Sequence, residues 1–193
     1  MNSSENKVET NLTQRGNMQV TFKVYLSGTM TDLVKSESGE HVEDPKQRVW
    51  REKATEIFAK HGVQTLNPYR GKDRDKIKKV GSYLFSESSK LIRNSVGSML
   101  VTRDFNDIQQ SDIVLANMTG TKGVRPSIGT ISELAWSYML HKPVVCVIDE
   151  TTDENYFKHP FMHVFVHQWT KTVEEGIEAI LSYWHPLATP DGE

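Results

Sequence analysis

Five short apolar runs constrain this chain most: Phe22–Ser27 ("FKVYLS"), Val63–Asn67 ("VQTLN"), Asp112–Asn117 ("DIVLAN"), Pro143–Ile148 ("PVVCVI") and His163–Trp169 ("HVFVHQW"). The first and fourth are nearly continuous and rich in β-branched residues, as strands buried on both faces require. Helical patterns lie between them. "DPKQRVWREKATEIFAKHG" opens on Asp44-Pro45, closes on Gly62, and puts Val49, Trp50, Ala54, Ile57 and Phe58 on one side. "IGTISELAWSYMLHK" follows the third run and "TVEEGIEAILSYW" closes the domain. Strands alternating with helices predict right-handed βαβ crossovers and an α/β, doubly wound, five-stranded parallel sheet. No internal repeat is visible.

With 193 residues, one domain is expected over 21–185, between polar tails at 1–20 and 186–193 that read as disordered. The N-terminus, "MNSSENKVETNLTQRGN", lacks the apolar core of a secretory signal. No apolar run approaches the roughly 20 residues of a membrane span. The net charge of -2 argues against a polymeric nucleic-acid partner. The single cysteine, Cys146, falls in a run that reads as buried, which excludes a disulfide framework and suits a cytoplasmic protein. The charge run "RGKDRDKIKK" reads as a solvated loop or helix face, the alternative being a mobile, basic lid over an anionic ligand, and the segment from Arg70 to Gly97 is the least legible.

In an open parallel sheet, ligands bind beyond the carboxyl ends of the strands. Three segments arrive there: "YLSGTMTD", "NMTGTKGVRPSIGT" and "TRDFNDIQQSD". Gly28, Thr29 and Thr31 form a turn that offers N–H groups and hydroxyls to an anion. "PSIGT" leads into a helix N-terminus, where phosphate is favoured. Neither turn is a Walker loop or a GxGxxG fingerprint. Glu133 is expected in the first turn of that helix, where an acid also has a plain helix-stabilising reading. Asp104 alone reads as a solvated helical acid. Paired, the two carboxylates are the equipment of glycosidic bond cleavage, one as nucleophile and one as proton donor.

"VYLSGTMTD", "RDFNDIQQSDIVLANM", "PSIGTISELAWSYMLHKPVVCVI" and "VFVHQWTKTVEEGIEAILSYW" resemble, in this order, the nucleoside 2-deoxyribosyltransferase superfamily, over most of Phe22 to Trp184. The spacing of the Asp104–Val114 block and of Gly129-x-x-x-Glu133-Leu134 carries the likeness. The resemblance implies a flavodoxin-like (Rossmann-like) fold and a retaining mechanism without a cofactor. It gives Glu133 as the nucleophile on C1′, Tyr25 as the residue orienting that carboxylate, and Asp104 as the acid at the departing base. Gly28 and Thr29 match the family's phosphate loop, and Asn117, Arg125, Ser127 and Gly129 are the further substrate contacts expected here. Nucleoside transferases usually carry Asp six residues before the glutamate. The 2′-deoxynucleoside 5′-monophosphate N-glycosidases carry Ser in a "PSLG"-like motif, and here Ser127 stands in "PSIG". Those hydrolases carry Arg near the position of Thr31, a charge that Lys122 or Arg125 would have to replace. The first motif also resembles small "YISGPMTG" proteins of phages and bacteria.

The resemblance therefore implies an N-glycosidase of (deoxy)nucleoside 5′-monophosphates. The alternatives are a deoxyribosyltransferase, a cytokinin-activating type of phosphoribohydrolase, which usually shows a "PGG" run absent here, and a non-catalytic nucleotide sensor. It also implies a homodimer or larger homo-oligomer. His159, His163 and His167 recur every fourth residue, but "HPFMHVFVH" reads as a loop entering a strand, so no metal site is expected. Trp169 and Trp184 read as packing residues.

Overall fold

In the computed structural model, residues 21–29, 33–35, 41–43, 45–70, 90–123 and 127–184 are described. In chain order they form β1 (Lys23–Gly28), β2 (Leu33–Lys35), β3 (His41–Glu43), α1 (Lys46–Lys60), β4 (Gln64–Leu66), α2 (Lys90–Gln110) and β5 (Ile113–Asn117). Then follow α3 (Ile128–Met139), β6 (Val144–Val147), α4 (Asn155–Lys158), α5 (Pro160–Phe165), β7 (Gln168–Thr170) and α6 (Val173–Trp184). The expected tails and most of the Arg70–Gly97 segment lie outside the described residues.

The main sheet has the order β4-β1-β5-β6-β7 with every pairing parallel. This is the expected doubly wound α/β fold. Strand alternation sorts its side chains onto two faces. Val24, Leu26, Ile113, Leu115, Val145 and Val147 pack with Trp50, Ala54 and Phe58 of α1 and Ile177 and Ile180 of α6. Tyr25, Val114, Ala116, Val144 and Cys146 pack with Ile108 of α2, Leu134 of α3 and Met162 of α5. The strand order reverses between β1 and β5, so a crevice is expected at their carboxyl ends, where Gly28 pairs with Asn117.

Three expectations change. Val49 is 57% exposed, and the buried stripe of α1 is Gln47, Trp50, Arg51, Ala54 and Phe58. The fifth run is split, its first three residues, His163–Phe165, ending helix α5: His159 caps α5 by accepting from the Phe161 N–H, and Pro160 occupies its first turn. Only Gln168–Thr170 form the edge strand, pairing with β6 alone. The alternation in "HVFVHQW" is thus shared between a short helix that buries Met162 and a strand too short to pattern itself. His167 serves the backbone, its Nδ1 accepting from the Val144 N–H at 3.2 Å. The third change is an antiparallel β2–β3 pair before α1, which no sequence signal announced. Among the described residues no helix is long and apolar enough to cross a membrane.

Candidate active site

Tyr25 and Ser27 lie two residues apart on β1 and so project to the same face, toward α3. There they meet Glu133. The Tyr25 hydroxyl donates to Glu133 Oε1 at 2.9 Å, and the Ser27 hydroxyl donates to Oε2 at 2.6 Å. One strand thus fixes both oxygens of one carboxylate. Ser127 caps α3, its Oγ accepting from the Thr130 N–H at 3.3 Å, and this places Glu133 in the second turn rather than the first. A helix-dipole role is correspondingly weak, because that effect fades beyond the first turn. Glu133 is 5% exposed. Burial pushes it up to about 7; the Ser27 and Tyr25 hydrogen bonds pull it down, Asp104 pushes it up, and Arg51 pulls it down. The Tyr25 phenol is raised by its own burial and by the neighbouring Glu133 carboxylate, so it remains a proton donor.

Asp104 projects from α2 and is buried, close enough for its charge to act on both Glu133 and Tyr25. Its Oδ1 accepts from Arg103 Nε at 3.1 Å and Nη2 at 2.7 Å. Arg103 also donates to the carbonyls of Pro68 and Arg70, and Arg70 pairs with Asp107. The turn after β4 is therefore pinned to α2 beside Asp104. Among the described residues both Arg103 bonds to Asp104 fall on Oδ1, and Oδ2 accepts none.

Ser127 receives a second bond at its Oγ, from the Thr130 hydroxyl at 2.9 Å, and its own N–H donates to the Tyr156 hydroxyl at 2.6 Å. Gly129 is exposed in the first turn of α3. Its N–H and that of Ile128 are the two first-turn donors not taken up by Ser127. Gly28 and the buried Thr29 sit at the exit of β1. Asn117 does not join Glu133: its parity turns it to the α1 face. There it lines a pocket of about 450 Å³ with Lys46, Gln47 and Trp50, and its Oδ1 accepts from the Thr119 N–H. Arg125 lies outside the described residues. Lys122, the other candidate charge, is exposed, and its N–H donates to the Thr151 carbonyl.

The sequence reading missed Ser27, Arg51 and Arg103. Period-two alternation puts Ser27 beside Tyr25. The helical spacing 47, 50, 51, 54, 58 puts Arg51 in the buried stripe. Arg103 gave no signal beyond adjacency to Asp104.

The sequence matches the profile of the family described as nucleoside 2-deoxyribosyltransferase over residues 38–165, well over half of the chain. The chain belongs to that family. It is an enzyme of the nucleoside 2-deoxyribosyltransferase kind, acting on small nucleosides or nucleotides. The match begins after β1, so Glu133 lies within it and its hydrogen-bond donors Tyr25 and Ser27 lie before it.

Solved structures share the fold. BlsM superposes with a TM-score of 0.55 at 17% identity, covering 90% of this chain and 98% of BlsM. A conserved protein from Enterococcus faecalis V583 gives 0.52 at 13% identity, covering 84% and 99%. The CMP N-glycosidase BcmB of Clostridium botulinum gives 0.44 at 14% identity, covering 83% and 99%, which is too loose to carry an argument. No curated protein sequence matches. Among the described residues no cluster of three His, Cys, Asp or Glu side chains could hold a metal.

The raised Glu133 would have a direct kinetic consequence were it to act as a nucleophile: it would have to be ionised, and kcat/KM reports the free enzyme. We expect kcat/KM for base release to rise with pH through about 7 and then level off, because Glu133 loses its proton there. A pH–rate profile measures this. A plateau already reached well below pH 6 would contradict it.

Proposed function

We propose that the chain is an N-glycosidase of (deoxy)nucleoside 5′-monophosphates, with Glu133 attacking C1′ of the sugar. The observation that carries this reading is the Glu133 carboxylate. It is buried and held at both oxygens by β1 hydroxyls, and it lies one turn along from the open N–H groups of Ile128 and Gly129. Each carboxylate oxygen accepts one hydroxyl and keeps a lone pair for the sugar.

In the first step a Glu133 oxygen bonds to C1′. The C1′–N bond breaks and its electron pair leaves with the base, which Asp104 contacts and helps to protonate. Water then attacks C1′ from the vacated face, giving its proton to Asp104, and the sugar–Glu133 ester bond breaks. Two displacements at one carbon retain configuration. The Ser127 N-cap, the Ile128 and Gly129 N–H groups and the Gly28–Thr29 turn would hold the 5′-phosphate. Hydrogen bonds to a charged group are worth about 1.5–3 kcal/mol each.

The test is chromatography of a panel of ribo- and deoxynucleotides and nucleosides, modified pyrimidines included, after incubation with the protein. Free base together with sugar 5-phosphate supports the reading. Base exchange without hydrolysis would instead support a transferase, in which a second base intercepts the same glycosyl–Glu133 species.

We also infer a homodimer or larger homo-oligomer. The helix that carries Glu133 exposes Ile128, Tyr138 and Met139, and α5 exposes Phe161 and Val164. Light scattering after gel filtration should give a multiple of the 22.0 kDa chain, and Phe161→Glu should reduce it. A wild-type monomer at micromolar concentration would refute the inference.

A further inference from the structure

Arg51 is 0% exposed, and burying a guanidinium is costly unless its N–H groups are engaged. Among its partners are four backbone carbonyls: Gln47 at 2.6 Å, Gly28 at 2.8 Å, Thr29 at 3.3 Å and Leu26 at 3.4 Å. Its plane lies over the Trp50 ring, 4.5 Å from the centroid, with Tyr69 at 5.0 Å. Apart from the Gln47 carbonyl of its own helix, these carbonyls belong to the end of β1 and to Thr29 just after it.

The ladder explains why a cation is needed there. The Phe22 carbonyl accepts from Gln64 on the β4 side of β1, and the Lys23 carbonyl accepts from Asp112 on the β5 side. Carbonyls alternate along a strand, so those of Leu26 and Gly28 turn toward β4. But β4 ends at Leu66, opposite Tyr25. Beyond that point no strand among the described residues flanks β1 on that side, and Arg51 takes that place. A planar fork of five N–H donors reaches several carbonyls at once, which an ammonium does not. Gly28 permits the approach: a Cβ there would sit 2.8 Å from the Asn117 carbonyl oxygen and 3.1 Å from Arg51 Nη2, at a φ of 154° that side chains seldom adopt.

Ser27 lies between Leu26 and Gly28, both of whose carbonyls Arg51 holds, and Ser27 is the donor to Glu133 Oε2. The geometry points to Arg51 as a positioning residue: it stands in for the end of β4, so that β1 keeps Ser27 on the Glu133 carboxylate and Gly28–Thr29 at the mouth of the site. The inference rests on the reading of Glu133 as nucleophile. Its charge acts in the same direction. The groups that act on the Glu133 carboxylate are Tyr25 and Ser27 from β1, Asp104 from α2 and Arg51 from α1; Arg51 is the cation among them and favours the ionised form.

Two variants separate the fork from the charge, with folding checked by circular dichroism. Arg51→Lys keeps the charge and loses the fork. Its plateau kcat should fall by about 100-fold, the scale of a misplaced catalytic group, with the Glu133 titration staying close to wild type. Arg51→Met loses both, and Glu133 should titrate at higher pH. Carbon-13 NMR of the Glu133 carboxyl reads that titration without any substrate. A wild type that releases no base from any nucleotide or nucleoside therefore defeats the proposed function, while the titration still decides the role of Arg51. A merely structural arginine would lower the melting temperature and move neither readout. Wild-type kcat in a folded Arg51→Lys protein, or an unshifted Glu133 titration in Arg51→Met, would overturn the inference. If Arg51→Met does not fold, the kcat of Arg51→Lys decides alone.

Discussion

Replacing Glu133 by Gln is expected to cut base release by about ten-thousand-fold or more, the scale seen when a nucleophile is removed, while stabilising the fold above pH 7. Both effects follow from one buried group. The Gln amide keeps the shape, and its oxygen and NH2 can still bond the Tyr25 and Ser27 hydroxyls. It cannot form the glycosyl ester.

The stability effect has a definite sign. Folding raises Glu133 from the ordinary carboxylate range up to about 7. At low pH both the folded and unfolded states hold the proton, so burial of the neutral acid carries no electrostatic penalty. As pH climbs through the window ending near 7, the unfolded chain releases the proton first and stability falls. Above that window the full penalty is present, about 3 kcal/mol by the linkage between pKa and free energy. Glu133→Gln removes it, so its melting temperature should exceed wild type at pH 8 and converge with it near pH 4. Near-normal base release by the folded variant would dismiss Glu133 as nucleophile. Equal melting temperatures at pH 8 would dismiss the strained carboxylate.

The second large effect is a preference of about 100-fold or more in kcat/KM for a nucleoside 5′-monophosphate over its nucleoside. Two charge-assisted hydrogen bonds suffice for that. Because the phosphate is remote from C1′, its binding energy can also serve the chemical step. Ser127 is the residue to change. Asp is as good an N-cap as Ser, so Ser127→Asp should leave α3 folded while placing a negative charge at the proposed phosphate site. The preference should then collapse, through loss on the monophosphate rather than gain on the nucleoside. If the wild type handles both substrates equally well, the phosphate site is wrong and the transferase reading is the better one.

The sheet was legible because its three central strands, β1, β5 and β6, are strongly apolar, and continuous β-branched runs have few other uses. The edge strand was not: β7 is three residues long, and the alternation preceding it belongs to α5, which His159 and Pro160 start. Glu133 was legible as an acid on an otherwise apolar helix. Its place in the second turn depended on Ser127 being the cap, which only the structure fixes. Its partners were harder still. Tyr25 and Ser27 are more than a hundred residues away in sequence. Periodicity shows which face a side chain takes, but not which side chain from another element meets it there. Tyr25 came through family resemblance. Ser27, on the same face by simple alternation, was passed over. Arg51 was hidden by the expectation that a buried helical stripe is apolar, though its spacing fitted the stripe better than that of Val49.

Capture of the covalent intermediate tests the account most directly. A 2-deoxy-2-fluoro-arabinosyl nucleoside 5′-monophosphate should react once, release its base and leave its sugar on the enzyme, because fluorine at C2′ slows breakdown of the ester. Peptide mass spectrometry should then find the mass of one fluorosugar phosphate on the peptide containing Glu133, and no addition in Glu133→Gln. Turnover of an ordinary substrate in methanol should give the methyl glycoside with retained configuration. Base release with no adduct on Glu133, together with an inverted methyl glycoside, would show that the carboxylate activates water instead of attacking the sugar.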